Sequence, residues 1–197
     1  LIVHLVPLSA FGRSNQIDLE RALEVSQKFR PMAAEGRTAR FNLDGFINVR
    51  GGDVCHGYTQ VFRNGMVEAT RAEILRDHQR MKILYARSIA REIIEVVPTY
   101  FEGLRILDVP APIVLMVSFQ GVMGAKLAIG GLEFFDEIQS LPQVDPLLLP
   151  EVIVEDYGSP PDYVKELRPI FDALWNAAGF SRCTYYDATG DWRPPNN

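Results

Sequence analysis

The run Arg40 to Ala69, RFNLDGFINVRGGDVCHGYTQVFRNGMVEA, constrains the fold more than any other stretch. Within it, Tyr58-Thr59-Gln60-Val61-Phe62-Arg63 alternates aromatic or apolar residues with polar ones, and Met66-Val67-Glu68-Ala69 resumes after Asn64-Gly65. A period of two places alternate side chains on opposite faces of a strand. Asn-Gly tolerates positive φ at both central positions of a type I′ turn, whose twist matches the paired strands, so a hairpin tipped by Asn64-Gly65 is expected. Phe41-Asn42-Leu43-Asp44-Gly45-Phe46-Ile47 also alternates and reads as a third strand. Gly51-Gly52-Asp53-Val54-Cys55-His56-Gly57 joins it to the hairpin, and its glycines suit a bend over a sheet edge or the close approach of a ligand.

On either side the chain alternates between strand-like and helix-like runs. Leu1-Ile2-Val3-His4-Leu5-Val6-Pro7-Leu8 reads as a buried strand ended by Pro7, with His4 bonded to backbone inside the core. A helix is expected from Gln16, capped by Ser14 and Asn15 and stopped by Pro31. The longest helix is expected from Thr70 to Val97, with Ile74, His78, Met81, Tyr85, Ile89, Ile93 and Val96 as its apolar stripe. Arg76, Arg80, Arg87, Arg91, Glu92 and Glu95 would form its wet face, and Pro98 should end or kink it. Ile113 to Phe119 is a second buried strand, with Ala125 to Ile129 as its antiparallel partner across the Gly121–Gly124 turn. Asp136 to Pro150 reads as an ordered loop, and Glu151 to Tyr157 as a strand. Ser159-Pro160-Pro161-Asp162 opens the last helix, which buries Leu167, Ile170, Phe171, Leu174, Trp175 and Ala178 and ends at Gly179. Thr184 to Trp192 suggests a closing hairpin. The sum is an α+β fold: a mostly antiparallel sheet packed by two or three helices, similar in ingredients to GAF and PAS sensor domains.

The chain has 197 residues and no internal repeat, and residues 1–197 are read as one accessory domain. It opens in a strand rather than with Met, which suggests a fragment of a longer protein. The net charge of −5, with scattered basic residues, argues against a broad nucleic-acid-binding surface. Cys55 and Cys183 lie far apart with no zinc spacing, and two cysteines in a chain of this size suit a reducing cytoplasm. There is no run of 18 apolar residues to cross a membrane, and Leu1 to Leu8 lacks the features of a signal peptide.

Asp53, Cys55 and His56 are the one compact reactive set. A nucleophile and base need a third group to orient them, and Asp44 or Glu68 could serve if the strands pair as expected. Glu151, Glu155 and Asp156 flank a strand and could make an acid/base pair or hold a metal. Neither set has a spacing that fixes a catalytic or metal site. No P-loop, Rossmann, GxSxG or HExxH motif is present, and no cofactor or metal is expected. An apolar pocket between sheet and long helix would be lined by Phe46, Phe62, Met81 and Tyr85.

His4-Leu5-Val6-Pro7-Leu8-Ser9-Ala10-Phe11, Phe29-Arg30-Pro31, Arg40 to Phe46 and Tyr58 to Ala69 occur in that order. Leu149 to Asp156 and Leu167 to Trp175 follow. Together they resemble the C-terminal region of bacterial proteins that carry an N-terminal Schlafen AlbA-type DNA-binding domain, often labelled ATP-binding or helix-turn-helix proteins. The resemblance covers most of the chain, names no catalytic residue, and lacks the AlbA-type module itself. It implies an upstream AlbA-type domain in the parent protein. Apart from the resemblance, the accessory-domain reading expects a second copy, as a homodimer, and the cysteine count a cytoplasmic location. Nucleic acid would be bound through the parent protein rather than through this segment. The expected function is non-catalytic sensing, partner binding or oligomerisation. The alternative is a metal-dependent hydrolase or nuclease using Asp53, His56 and nearby carboxylates.

Overall fold

The computed structural model describes residues 1–12, 16–33, 38–130 and 138–194. The strands among them are β1 (Ile2–Pro7), β2 (Thr38–Asn42), β3 (Gly45–Gly51), β4 (Cys55–Phe62), β5 (Val67–Arg71) and β6 (Leu75–His78). They continue as β7 (Met81–Tyr85), β8 (Ile113–Phe119), β9 (Lys126–Ala128), β10 (Ile138–Ser140), β11 (Leu147–Leu148) and β12 (Val152–Val154). The helices are α1 (Leu19–Glu24), α2 (Ala86–Ile106), α3 (Pro160–Glu166) and α4 (Arg168–Ala177). Eight strands form an antiparallel sheet in the order β11-β8-β1-β5-β4-β3-β2, with β12 also pairing β8. Strands β10-β9-β7-β6 form a second, smaller sheet in which β7 and β9 run parallel. The fold is α+β, as the alternation of strand and helix patterns predicts.

The hairpin β4–β5 forms, but its turn differs from the expected one. Gly65 N–H donates to Phe62 O at 2.9 Å, so Arg63 and Asn64 are the central residues. Gly65 alone has positive φ there, at 85°. This is a three-residue loop with glycine at the left-handed position, not a type I′ turn on Asn64-Gly65. The expected strand Phe41–Ile47 is itself a hairpin. Asn42 Oδ1 accepts Gly45 N–H at 2.9 Å and reverses the chain between β2 and β3. Gly45 has φ 151°, and a Cβ there would stand 2.3 Å from Val61 O, so only glycine fits.

The expected helix from Thr70 is the largest correction. Thr70 and Arg71 end β5, and Leu75–His78 and Met81–Tyr85 form the β6–β7 hairpin. The helix begins only at Ala86. Ile74, His78, Met81 and Tyr85 recur at three- and four-residue steps by coincidence of strand spacing, whereas Ile89, Ile93 and Val96 do line the buried side of α2. Glu92, assigned above to the wet face, pairs with Arg71 of β5, each side chain only 12% exposed. Pro98 neither ends nor breaks α2, which runs on to Ile106. Tertiary bonds hold the half beyond it: Thr99 Oγ1 lies 2.9 Å from Lys28 O, and Tyr100 Oη donates to Arg30 O at 2.7 Å. Gly103 lets the Phe29 ring close onto this half, since a Cβ would meet it at 2.5 Å.

Smaller departures have local causes. Asp18 caps α1 by accepting Glu20 N–H at 2.9 Å, the helix starts at Leu19, and a 3-10 turn over Ser26–Phe29 replaces its expected second half. Ser14 and Asn15 lie outside the described residues. Lys126–Ala128 pairs with β7 and β10 rather than β8, whose edges are taken by β1, β11 and β12. The stretch expected as a loop before Pro150 contributes β10 and β11, although residues 136 and 137 lie outside the described residues. The strand expected over Glu151–Tyr157 is confined to Val152–Val154. The last helix opens as read, with a reciprocal capping box between Ser159 and Asp162, and Gly179 ends it at φ 88°. The closing hairpin reduces to one bridge, Tyr186 to Trp192. Trp175, Tyr185 and Trp192 pack edge to face over it.

All described helices serve one face of the large sheet. Val3, Leu5, Phe46, Val61, Val67, Ala69, Leu115 and Val117 are buried in one core with Ile89, Ile93, Val96, Tyr100, Phe171 and Trp175. At 25 cal/mol per Å² of apolar area, each of the Val, Leu, Ile and Phe side chains among them contributes roughly 1.5–3 kcal/mol.

Candidate binding face

Strict alternation along the strands decides what the opposite face presents. The registers β1–β5, β1–β8 and β4–β5 put Ile2, His4 and Val6 in line with Ser118, Met116 and Val114 on one side. On the other side stand Thr70 and Glu68, then Tyr58 and Gln60. β3 adds Ile47 and Val49, β12 adds Ile153 beside Val114, and β11 adds Leu148 beside Ser118. Most of these residues are half-buried, the level at which neighbours on a sheet shield one another without a covering layer. Met116 is 37%, Ile153 52% and Leu148 69% exposed. An antiparallel sheet with one wet face normally turns polar side chains outward. Here Ile2, Ile47, Val49, Phe62, Val114, Met116, Leu148 and Ile153 break that rule.

A polar strip crosses the middle of this face. Tyr58 Oη donates to Glu68 Oε1 at 2.5 Å. Glu68 Oε2 stands 2.8 Å from His4 Nε2, which donates to it. Asn42 Nδ2 donates to Gln60 Oε1 at 2.6 Å, and Gln60 is buried. Desolvation, and then the Glu68 carboxylate that accepts its proton, push the Tyr58 phenol up to about 12. His4 therefore reaches across to β5 rather than bonding backbone in the core, because its position in β1 points to the helix-free face. Only Glu68 of this strip was among the candidate site residues. Its partners come from 64 and 10 positions away, so only the register could reveal them.

The other candidates are not assembled around it. His56 Nδ1 lies 3.3 Å from Glu73 Oε2, while Glu68 is engaged with His4 and Tyr58. Cys55 Sγ donates to Gly57 O at 3.6 Å and is exposed. Asp44 sits in the β2–β3 turn, where its backbone carbonyl accepts Arg63 N–H at 3.0 Å. Asp53 lies in the exposed turn between β3 and β4. Glu151, Glu155 and Asp156 are exposed at the ends of β12. Among the described residues, no group of three or more His, Cys, Asp or Glu side chains could hold a metal ion.

The pocket expected from Phe46, Phe62, Met81 and Tyr85 does not form. Phe46 points into the core, Phe62 to the helix-free face, and Met81 and Tyr85 belong to the small sheet. A cleft of about 100 Å³ opens elsewhere, between Ser9, Gln16, Ile17, Asn64, Asp108 and Val109. Cofactor sites generally take some 300 Å³ or more, so this cleft suits a few waters at most.

No family model, curated protein or solved structure matches the chain. No described helix is long and apolar enough to cross a membrane.

Proposed function

We propose that this chain is a non-catalytic partner-binding and oligomerisation domain of a bacterial Schlafen AlbA-type DNA-binding protein, and that it acts through the helix-free face of the large sheet. One observation carries the reading: apolar side chains occupy positions on that face where a solvated sheet would place polar ones. Two such faces can stack at about 10 Å with interdigitating side chains, so a second copy is the simplest occupant. The polar strip does not oppose this. Its His4–Glu68–Tyr58 and Asn42–Gln60 bonds are satisfied within the sheet, and a group already bonded loses little when water is removed. Pairing the domain would also pair the upstream modules and raise their effective concentration on DNA.

The test is solution mass by sedimentation for the wild type and for Met116→Glu combined with Ile153→Glu. Self-association of the wild type and a monomeric, folded variant support the proposal. Equal mass for both would refute it. Metal-dependent hydrolysis that disappears on Asp53→Ala or His56→Ala would favour the enzyme reading instead.

A further inference from the structure

We infer that the β6–β7 hairpin is a basic ribbon that enters a groove of duplex nucleic acid. β7 pairs with β9 only through Ile83, Leu84 and Tyr85, and β6 is the edge of its sheet. The tip from Asp77 to Lys82 therefore projects past the neighbouring strand as two strands and a turn. Arg76, Arg80 and Lys82 are exposed and form no ion pair with a described residue. Against Asp77 they leave residues 76–82 at +2 in a chain whose net charge is −5, Arg76 standing at the base of the tip.

The placement of those charges favours a groove over a flat acidic surface. Arg76 lies opposite Ile83, and Asp77 lies opposite Lys82. Successive residues alternate faces, so Arg76 and Lys82 project from opposite faces of the ribbon, and Arg80 sits at its tip. A flat partner could meet one face only. A major groove about 12 Å wide admits a two-stranded ribbon, and phosphates line both of its rims. Guanidinium groups suit those phosphates through paired N–H donors. The turn is also made of Gln79 and Arg80 at φ 46° and 66°, where glycine or asparagine would be less strained. The side chains held at this cost are a cation and a hydrogen-bonding amide. The inference extends the function above to direct contact by this segment, and it does not depend on self-association.

The experiment is fluorescence anisotropy with a labelled mixed-sequence duplex, titrated over a series of salt concentrations. Three phosphate contacts predict that log K falls with log salt more steeply, by about 2.7, for the wild type than for Arg76→Ala/Arg80→Ala/Lys82→Ala. A second variant, Gln79→Asn with Arg80→Gly, relieves the turn and removes one cation, and its slope should drop by about 0.9 with folding intact. The inference is overturned if the wild type binds no duplex at low salt, or if the triple variant keeps the full slope. It is equally overturned if polyglutamate binds the ribbon and duplex does not.

Discussion

Arg71 and Glu92 form an ion pair in which neither partner can be removed alone without cost. Both are nearly buried, and they tie β5 to α2. Glu92→Ala leaves the guanidinium without its partner and should cost on the order of 3 kcal/mol in urea unfolding. Arg71→Met with Glu92→Leu should recover most of that, since replacing both partners removes the buried charge altogether. If the single and double variants were equally unstable, the loss would lie in packing instead. Gly103 offers a second test. Alanine there gains up to about 1 kcal/mol of helix propensity but drives a methyl into the Phe29 ring, which is fully buried. Overpacking costs roughly 1–3 kcal/mol, so Gly103→Ala should destabilise, and a rise in midpoint would show that Phe29 can yield. The tyrosines predict the response to alkali. Burial raises Tyr58 to about 12 from 10.0, and raises Tyr100, Tyr157 and Tyr186 further. A phenol raised in the folded state stabilises it fully below the unfolded value near 10 and loses that contribution as pH climbs through the folded value. Stability should fall as pH climbs above about 10, measured by urea unfolding across pH; a stability that stays level from pH 10 to 12 would contradict it.

Elements were legible where a local signal sufficed. The β4–β5 hairpin, β8 and the capped α3–α4 pair follow from alternation, a β-branched run and Ser159-x-x-Asp162. The largest failure has a tertiary cause, in which strand pairing overrode a local pattern. Leu75 to Tyr85 carries helix-like spacing, yet β7 is captured by β9, some forty residues on. Its turn has the type I′ dihedrals anticipated for Asn64-Gly65, but at Gln79-Arg80, which carry no such signal. Each left-handed residue other than glycine costs about 1–2 kcal/mol, so Gln79→Asn with Arg80→Gly should raise the melting temperature, and an unchanged value would mean the turn is not strained. The binding strip was half legible for the same reason. Glu68 stood out as a carboxylate in a strand, but His4 and Tyr58 are joined to it only by the order of strands in the sheet.

The large sheet has one face served by every described helix and one face served by none of them, and the second exposes Met116, Leu148 and Ile153. That asymmetry leaves a sheet surface for a partner to cover. It motivates the proposed partner binding, whose contact would lie on β1, β8, β11 and β12 beside the His4–Glu68–Tyr58 strip. The basic hairpin belongs to the other sheet, β10-β9-β7-β6. Methionine-methyl NMR across a concentration series tests the claim most directly. Met116 lies on the helix-free face, whereas Met32 is fully buried in the core and serves as the internal reference. The account predicts that the Met116 methyl signal shifts or broadens as concentration rises, while that of Met32 stays in place. A Met116 signal that is unchanged up to the highest concentration, in a chain that remains monomeric, would contradict it.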